Sequence, residues 1–502
     1  MKQNRQPLCA AIIFSAIGAL GCGLLRTRQA LSGIDITTLL FYYEQLKTEL
    51  RVQRVSGLLD MAASYSVVYE TAAASLLVAA FAFCVFLLLW LPHVLSRTKF
   101  PALWKRIKPN WLRIVSVGIL LSSLVAIVCT VHLPRYLYLQ SQDSPIYAEN
   151  YVDPAAAHIQ FPEQKQNLIH IYLESMETTY QDTASGGSWP TNLIPELTQI
   201  AEENISFSNL VSLTGTSYTS GALVAQTAGF PINRSVSMNE LDGEFLPYAC
   251  TLNNILADEG YRQIFMCGSD GNFGARTLYY TSHGNTEVWD YATAIAQGVI
   301  PADYMTQFPG WGLRDHVLFG WAKSAVTELA AGDQPFYFSL LTVDTHFYDG
   351  YLCDYCGSEH ETQYENVIRC SDRLAAEFVR WIQAQTFYEN TTIVITGDHP
   401  TMDLTFIAQN TQELTERGVY ACVINPYGGI TPERNAVRDA STFDIFPTTL
   451  AAMGARWDGD QLAFGVNLFR DTPTLVEKLG RETFDIQLQI PADDYLARFY
   501  HR

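Results

Sequence analysis

The sequence predicts an α/β protein with transmembrane helices at its amino terminus and a large extracytoplasmic domain built on a doubly wound, mainly parallel sheet. Three observations lead to this prediction. Long uncharged apolar stretches lie within the first 134 residues, short apolar runs alternate with amphipathic segments from residue 161, and the net charge changes sign between the two parts. With 502 residues and 48% hydrophobic content, the chain is large enough for more than one domain.

Three stretches without charged residues predict membrane-spanning helices, at residues 6–25, 71–96 and 114–134. Each reaches the roughly 20 residues that cross the hydrocarbon core. A cleaved signal peptide is the alternative for the first stretch. Such a peptide has a shorter apolar core that ends at small residues, whereas Arg26 and Arg28 follow here. We therefore expect three retained helices in a membrane domain over residues 1–134.

The basic residues set the expected orientation of these helices. Residues 97–113, between the second and third stretches, include six Lys and Arg and no acidic residue, which is typical of a cytoplasmic loop. We therefore expect a multi-pass protein of the cell membrane with a cytoplasmic amino terminus and an extracytoplasmic domain after residue 134. Residues 1–132 carry a charge of +8 and the remainder −27, so the exterior domain would repel nucleic acid.

Four short apolar runs predict strands of the exterior domain, at residues 168–173, 263–266, 336–343 and 392–396. The segments 220–227, 252–259, 316–331 and 372–385 predict helices that cover the sheet. We assign residues 135–160 to a juxtamembrane linker, 161–470 to the exterior domain and 471–502 to a carboxy-terminal tail. If the strands are parallel, the polar residues that follow them meet at the edge where open α/β sheets bind ligands.

Two of these strand ends carry a candidate metal site. Glu174 follows the first strand, and Asp398 and His399 follow the last. Two carboxylates and one imidazole suit a divalent ion such as Zn²⁺ or Mn²⁺ better than Ca²⁺. Each residue alone also has a structural explanation, because a carboxylate stabilises the first turn of a helix and a surface histidine can lie near an aspartate.

A hydroxyl-rich loop at residues 214–232 is the expected source of a nucleophile. It leads into a helix of small residues that is ended by Gly229 and Pro231. Backbone N–H groups at the start of such a helix would stabilise negative charge on an attacked phosphorus. A simple helix-capping role is the alternative.

The ten cysteines divide between the two parts of the chain. Four lie in the predicted spans, and six lie in the exterior domain, where disulfides persist. Cys353, Cys356 and Cys370 could be read as a zinc site, but no neighbouring His-x-His or second cysteine pair completes it. We therefore expect a disulfide that closes this loop, with a pairing that the sequence does not define.

Several segments, in order, resemble the phosphoglycerol transferases of the alkaline phosphatase superfamily, which have a sulfatase-like fold. They are residues 171–177, 214–232, 341–346, 397–399, 442–450 and 464–469. The sequence is most similar to the enzymes that decorate periplasmic glucans, and more distantly to lipoteichoic acid synthases. The resemblance covers residues 160 to 470, and the predicted spans suit the family.

The resemblance implies roles for individual residues. These are the metal ligands Glu174, Asp398 and His399, the nucleophile and further ligand Thr219, and the substrate contacts Arg276 and His346. The alternatives are a surface ion pair for Arg276 and a structural histidine at a sheet end for His346. Cys267 and Gly274 stand where lipoteichoic acid synthases carry a substrate-binding His and a Trp, which favours the glucan-modifying branch.

The implied activity is a transfer of glycerol phosphate from phosphatidylglycerol to an extracytoplasmic glycan or polyol-phosphate polymer. The implied cofactor is one divalent ion, Mn²⁺ first, with Zn²⁺ or Mg²⁺ as alternatives. Metal-coordinated Thr219 would attack phosphorus and form a covalent phospho-threonine. Arg276 would bind the phosphate, and His346, with a pKa expected near ambient pH, would relay a proton.

Other functions stay open. A phosphoethanolamine transferase or another sulfatase-fold phosphodiester hydrolase would keep the metal and Thr219 and change the head-group pocket. A sulfatase would need Cys or Ser followed by x-Pro-x-Arg, and no such string occurs. A degenerate membrane-bound binding or sensor protein would lack a ligand or the nucleophile, yet every position is filled. His283 and Trp289 are further candidate contacts to sugar or phosphate, with loop packing as the alternative.

Overall fold

The computed structural model describes residues 133–232, 245–411, 417–433 and 437–500. The chain divides into two compact units, residues 1–139 and 140–502. The predicted membrane helices lie outside the described residues, apart from positions 133 and 134. Within the described ranges, no helix combines the length and the apolar character that a membrane crossing requires.

A mainly parallel sheet forms the centre of the second unit, as predicted. The strands are β1 (Asn167–Leu173), β2 (Ile205–Ser206), β3 (Asn209–Val211), β4 (Arg262–Cys267), β5 (Glu287–Trp289), β6 (Phe336–Leu341), β7 (Thr391–Gly397), β8 (Ala421–Ile424), β9 (Asp439–Ser441), β10 (Gln461–Leu462) and β11 (Gly465–Val466). Seven of them form one sheet in the order β2-β8-β7-β1-β6-β4-β5. Strands β7, β1, β6, β4 and β5 are parallel, whereas β8 pairs antiparallel with both of its neighbours. The four predicted strands correspond to β1, β4, β6 and β7.

Helices connect and cover these strands. They are α1 (Leu133–Gln140), α2 (Ile146–Asn150), α3 (Pro195–Glu203), α4 (Thr219–Ala228), α5 (Leu252–Asp258), α6 (Arg276–Ser282), α7 (Tyr291–Ala296), α8 (Tyr304–Gln307), α9 (Asp315–Ala330), α10 (Gln363–Gln383), α11 (Leu404–Asn410), α12 (Ile445–Ala452), α13 (Leu475–Leu479), α14 (Arg481–Gln489) and α15 (Asp493–Phe499). Short 3-10 helices occur at Pro154–Ala156, Thr178–Tyr180, Thr183–Ser185, Phe273–Ala275, Thr386–Asn390, Tyr427–Gly429 and Thr442–Asp444. The four predicted helices correspond to α4, α5, α9 and α10.

The central strands are apolar on both faces because helices cover both sides of the sheet. Alternate residues of β1 point to opposite faces: Ile169 and Ile171 pack in the core beneath α9 and α10, whereas Leu168 packs in the core beneath α5 and α12. Every residue of β1 and β7 is buried. This is the burial expected of the middle strands of a doubly wound sheet.

The carboxy-terminal helices pack on the segment that follows α4. Tyr495 and Phe499 of α15 are buried, and the ring of Phe499 stacks on Phe230 with 4.1 Å between centroids. Gly229 ends α4 in the left-handed conformation, with φ of 72°, just before this contact. The last helix therefore helps to fix the end of the helix that begins at Thr219.

Candidate functional site

The register of two adjacent strands brings Glu174 and Asp398 together. Leu173, the last residue of β1, pairs with Gly397, the last residue of β7. The next residue of each strand is a carboxylate, so both acidic side chains emerge at the same edge of the sheet. His399 follows directly, and all three side chains are buried.

These three side chains form a compact cluster. One ligand atom from each of Glu174, Asp398 and His399 lies within 4.8 Å of the others. Nε2 of His399 is 3.4 Å from Oδ2 of Asp398 and 3.7 Å from Oε1 of Glu174. Nδ1 of the same ring lies 2.9 Å from the carbonyl oxygen of Pro400, which accepts a hydrogen bond and so fixes the proton on Nδ1. In its neutral form the ring therefore turns the lone pair of Nε2 toward the two carboxylates.

The surroundings of the cluster fit a divalent cation. The backbone N–H groups of Ser175 and His399 both donate to Oδ1 of Asp398, at 2.8 and 2.7 Å. Oδ2 of the same carboxylate is buried and has no hydrogen-bond partner. The hydroxyl of Ser175 donates to Oε1 of Glu174 at 2.8 Å. A buried carboxylate oxygen without a donor is costly, and a cation bound to it would remove that cost.

The charges of the cluster lead to the same conclusion. Burial, together with the nearby charge of Glu174, raises the pKa of Asp398 to about 7. Burial lowers the pKa of His399, but the carboxylates of Asp398 and Glu174 outweigh it and leave that pKa raised. Both shifts have the sign expected where negative charge is concentrated without a compensating cation.

Thr219 begins α4 and faces this cluster. Its Oγ1 is 3.4 Å from Oε2 of Glu174, and the residue is partly exposed. The loop before it is tight, because Gly215 has φ of +83° and a Cβ at Gly221 would lie 2.2 Å from the carbonyl oxygen of Gly215. These glycines let the loop fold back on the first turn of the helix, so that the hydroxyl of Thr219 lies beside the cluster.

A buried amide holds α4 against β7. Nε2 of Gln226 donates to the carbonyl oxygen of Gly397 at 3.0 Å, and its Oε1 accepts from Thr396 at 2.6 Å. The hydroxyl of Thr396 also lies 3.0 Å from Nε2 of His170 on β1. Gln226 thus links α4, which begins at Thr219, to the strand that precedes Asp398. Sequence reasoning missed it; the available signal was one long polar residue in a helix of small residues.

A second buried contact, also missed, fixes the loop after His399. Nε of Arg417 donates to Oε2 of Glu177 at 2.7 Å. Oε1 of Glu177 accepts from the backbone N–H of Thr401 at 3.0 Å, and Nη2 of Arg417 donates to the carbonyl oxygen of Thr401 at 2.8 Å. The residues after β1 and after β7 are therefore tied together around the candidate metal site.

Arg276 starts α6 and is buried, so the surface ion pair considered above is not what the structure has. Its Nε donates to the carbonyl oxygen of Phe273 at 2.9 Å, and its Nη2 donates to that of Asp270 at 2.7 Å. The preceding residues Gly274 and Ala275 both have positive φ, 64° and 59°. Two backbone carbonyls thus orient the guanidinium, and its charge is left without a carboxylate partner in these contacts.

His346 lies within electrostatic reach of the cluster and of Arg276. Nδ1 of His346 is 2.7 Å from the carbonyl oxygen of Phe347, and the ring packs against Trp311 with 4.7 Å between centroids. Burial, with a contribution from the charge of His399, lowers the pKa of His346 to about 4. The sequence led us to expect a value near ambient pH. The packing of the ring against its neighbours explains the difference.

The remaining residues considered in the sequence, His283, Trp289 and Cys267, contact other parts of the domain. Both ring nitrogens of His283 lie near backbone carbonyl oxygens, at 2.7 Å from Tyr279 and 3.0 Å from Leu246, and the residue is buried. Trp289 stacks on Trp321 with 5.6 Å between centroids. Both residues therefore pack within the domain, which was the alternative given for them. Cys267 is buried at the end of β4, and burial raises the pKa of its thiol to about 11.

The six cysteines among the described residues are all free, so the expected disulfide is absent there. Cys353, Cys356 and Cys370 nevertheless lie together, with sulfur atoms within 4.8 Å of one another. The sequence therefore predicted correctly that these three cysteines lie close together, but the predicted disulfide between them is wrong.

Comparison with known proteins identifies the family. The sequence profile of the sulfatase family matches residues 166–455, more than half of the chain. A phosphoglycerol transferase I from Xanthomonas axonopodis pv. citri is 35% identical over 256 residues, which cover 48% of this chain and 35% of that protein. One from Xanthomonas euvesicatoria pv. vesicatoria is 33% identical over 332 residues, which cover 62% of this chain and 45% of that protein. The chain thus spans less than half of the length of these curated relatives.

A solved structure has the same fold. The lipoteichoic acid synthase LtaP from Listeria monocytogenes superposes with a TM-score of 0.51 at 17% identity, covering 62% of this chain and 79% of that one. The relatives named phosphoglycerol transferase I confirm the resemblance that the sequence motifs indicated. From its matched profile and its α/β architecture, the chain belongs to the sulfatase family of the alkaline phosphatase superfamily.

Proposed function

We propose that this protein is a phosphotransferase that moves glycerol phosphate from phosphatidylglycerol to an extracytoplasmic glycan or polyol-phosphate polymer. The observation that carries the proposal is the position of Thr219, whose partly exposed hydroxyl lies 3.4 Å from Glu174 beside the cluster of Asp398 and His399. The relatives are named phosphoglycerol transferase I, and this name indicates that the transferred group is glycerol phosphate.

In this proposal Glu174, Asp398, His399 and Thr219 hold one divalent ion, with Mn²⁺ as the first candidate and Zn²⁺ or Mg²⁺ as alternatives. The unpartnered Oδ2 of Asp398 and the inward lone pair of His399 support this ligand set. When bound, such an ion supplies a Lewis acid that makes the Thr219 hydroxyl more acidic and polarises the phosphoryl oxygen.

Thr219 is the proposed nucleophile. Its Oγ1 forms a bond to phosphorus while the bond from phosphorus to the diacylglycerol oxygen breaks, and the leaving oxygen takes up a proton. An acceptor hydroxyl then attacks the same phosphorus, and the Thr219 oxygen leaves and regains its proton. Thr219 is the first residue of a ten-residue helix, so the N–H groups of the first turn favour the negative charge that develops on the phosphoryl oxygens.

Arg276 and His346 are the proposed substrate contacts. The guanidinium of Arg276 is oriented by two carbonyl oxygens and offers its charge to a phosphate in a domain that is otherwise acidic. With a lowered pKa, His346 is neutral at ambient pH, and its hydrogen bond to Phe347 leaves the lone pair on Nε2. It can therefore accept the proton of an attacking acceptor hydroxyl.

The proposal includes the predicted location. A phosphatidylglycerol donor requires a site near a bilayer, and the predicted spans of residues 1–134 would hold the domain there, with the amino terminus in the cytoplasm. One divalent ion, the lipid donor and the exported acceptor are then the partners of the protein.

The test is intact mass measurement of the full-length protein after incubation with phosphatidylglycerol and Mn²⁺ in the absence of acceptor. We expect a mass increase of one glycerophosphate group that maps to Thr219. Thr219→Ala should give no adduct, and Ser217→Ala, which removes an exposed hydroxyl from the same loop, should give the wild-type adduct. A wild-type protein that binds metal but forms neither adduct nor product would overturn the transferase and favour a binding protein. If the protein instead forms a phosphoethanolamine adduct when it is incubated with phosphatidylethanolamine, the lipid donor is phosphatidylethanolamine and the proposed head group is wrong.

A further inference from the structure

A second group of metal-ligating side chains lies away from the proposed active site, around a short loop and the helix that follows it. Sγ of Cys353 is 3.7 Å from Sγ of Cys356 and 3.8 Å from Sγ of Cys370. A tetrahedral ion bound to sulfurs at about 2.3 Å holds them about 3.8 Å apart, whereas disulfide sulfurs are about 2.05 Å apart. The spacing of Cys353 from each of the other two cysteines is therefore that of two corners of a metal-thiolate tetrahedron, and all three sulfurs lie within 4.8 Å of one another.

All three cysteines are free to supply a sulfur ligand, because none of them forms a disulfide in the described residues. Cysteine binds a metal ion as the thiolate, so a divalent ion would displace the thiol protons when it binds.

Two further donors point at these sulfurs. The backbone N–H of Cys353 donates to Sγ of Cys356 at 3.3 Å, as the chain turns between the two cysteines. Nη2 of Arg373, one turn after Cys370, donates to Sγ of Cys370 at 3.7 Å and also to the carbonyl oxygen of Tyr355. Donors of this kind stabilise thiolates that bind a metal ion.

His316 supplies a candidate for the fourth corner. It is the second residue of α9, and its ring neighbours Cys353. Its Nδ1 is buried without a hydrogen-bond partner, and its ring packs against Tyr355 with 4.8 Å between centroids. A histidine with an unpaired ring nitrogen beside Cys353 is a suitable fourth ligand, and three thiolates with one imidazole are a ligand set typical of structural zinc.

We propose that Cys353, Cys356, Cys370 and His316 form a structural zinc site. The site joins three parts of the chain: the loop at residues 347–362, the first turn of α9 and the first half of α10. This loop follows His346 directly, and Arg314, just before α9, also supports it, because its Nε donates to the carbonyl oxygen of Leu352 at 3.1 Å. Zinc would therefore hold the chain that leads away from His346, and it takes no part in the transfer reaction.

The test is a titration of the reduced, metal-free, full-length protein with Co²⁺. A thiolate ligand gives an intense sulfur-to-cobalt charge-transfer absorption that oxygen and nitrogen ligands do not give, so the proposed active site does not contribute to it. We expect one equivalent of cobalt to produce this absorption and one equivalent of Zn²⁺ to remove it. Cys353→Ser and Cys356→Ser each remove one of three thiolates, so each should weaken the absorption, and Cys250→Ser, a free cysteine elsewhere, should leave it unchanged. His316→Gln should keep it with an affinity reduced about tenfold or more.

The wild-type protein alone decides the question if the variants fail to fold. Free thiols without the charge-transfer absorption would overturn the site, and so would a disulfide among the three cysteines in metal-free protein isolated from cells. Absorption of undiminished intensity in Cys353→Ser would overturn the ligand assignment. None of these readouts depends on transferase activity, so the zinc site and the proposed function can fail separately.

Discussion

The two clusters of metal-ligating side chains found in the described part of the chain are built in opposite ways. Glu174, Asp398 and His399 follow adjacent central strands, so the register of Leu173 with Gly397 fixes their positions before any loop is placed. Cys353, Cys356 and Cys370 come together only when a loop folds against a helix. The first cluster is part of the sheet, and the second one stabilises a loop.

The two clusters also differ in how their charge is balanced. The buried carboxylate of Asp398 has an oxygen without a donor, whereas Sγ of Cys353 contacts two other thiol sulfurs. The cluster of Glu174, Asp398 and His399, called the oxygen cluster below, therefore needs a cation for charge balance, whereas neutral thiols in the cysteine cluster do not. We infer that loss of the ion from the first cluster stops the reaction, and that loss from the second loosens a loop. The following predictions test this difference.

The largest effect is expected for Asp398→Asn. Removing this carboxylate removes a ligand and the main reason for binding a cation, and a Lewis acid contributes several kcal/mol, so turnover should fall about 10³-fold. Transfer from phosphatidylglycerol measures the rate, and elemental analysis measures the metal content. The cysteine cluster should keep its cobalt absorption in this variant. Asp458→Asn, at an exposed carboxylate, is the control and should resemble the wild type. Undiminished turnover, or loss of the cobalt absorption, would contradict the division into two independent centres.

The second-largest loss of turnover is expected for His346→Gln. If His346 accepts the proton of the acceptor hydroxyl, its removal should lower turnover about 10²-fold. Because the pKa of His346 is about 4, the ring is neutral well above that pH and begins to gain a proton only as the pH falls toward it. The ratio of wild-type to variant turnover should therefore stay constant from about pH 6 to about pH 8. A ratio that changes near the ordinary histidine pKa of about 6.5 would show that the ring titrates normally.

The oxygen cluster could be predicted from the sequence because strand ends are visible there. Apolar runs locate β1 and β7, and the carboxyl ends of parallel strands share one edge, so Glu174 and Asp398 had to be near each other. The hydroxyl-rich loop that leads into a helix located the region of Thr219, and the family resemblance selected the residue. The same apolar runs located four of the seven strands of the main sheet, β1, β4, β6 and β7.

Other features depend on contacts that no local pattern records. His316 precedes Cys353 by more than thirty residues and lies on a different helix, so the sequence could not complete the zinc ligand set. The lowered pKa of His346 comes from burial beside residues such as Trp311. Gln226 has no motif, and its importance appears only when both of its hydrogen-bond partners on β7 are known.

The third prediction concerns the attachment of the oxygen cluster to the core. Gln226→Leu keeps much of the side-chain volume but leaves the hydroxyl of Thr396 and the carbonyl oxygen of Gly397 without this partner. Each buried polar group left unsatisfied costs about 1–3 kcal/mol, so the urea midpoint of the full-length protein should fall accordingly. Gln199→Leu removes an exposed amide that bonds Glu203 and should leave the midpoint unchanged. Equal stability of both variants would mean that α4 does not need this link.

The smallest effect, and the one that most sharply tests how the cysteine cluster is built, is expected for Arg373→Gln. The guanidinium donates to Cys370 and to the carbonyl oxygen of Tyr355, so its loss removes one donor while the N–H of Cys353 still donates to Cys356. Cobalt affinity at the cysteine cluster should therefore fall about tenfold, without loss of the charge-transfer absorption. Arg380→Gln removes a cation from the same helix that pairs with Glu196 at the surface, and it should not change the affinity. Asp398 in the oxygen cluster allows no matching experiment, because its donors are the backbone N–H groups of Ser175 and His399, which side-chain substitution does not remove. If Arg373→Gln also left the affinity unchanged, the cysteine cluster too would have to be supported mainly by its backbone, and the contrast between a centre fixed by the sheet and a centre fixed by side chains would disappear.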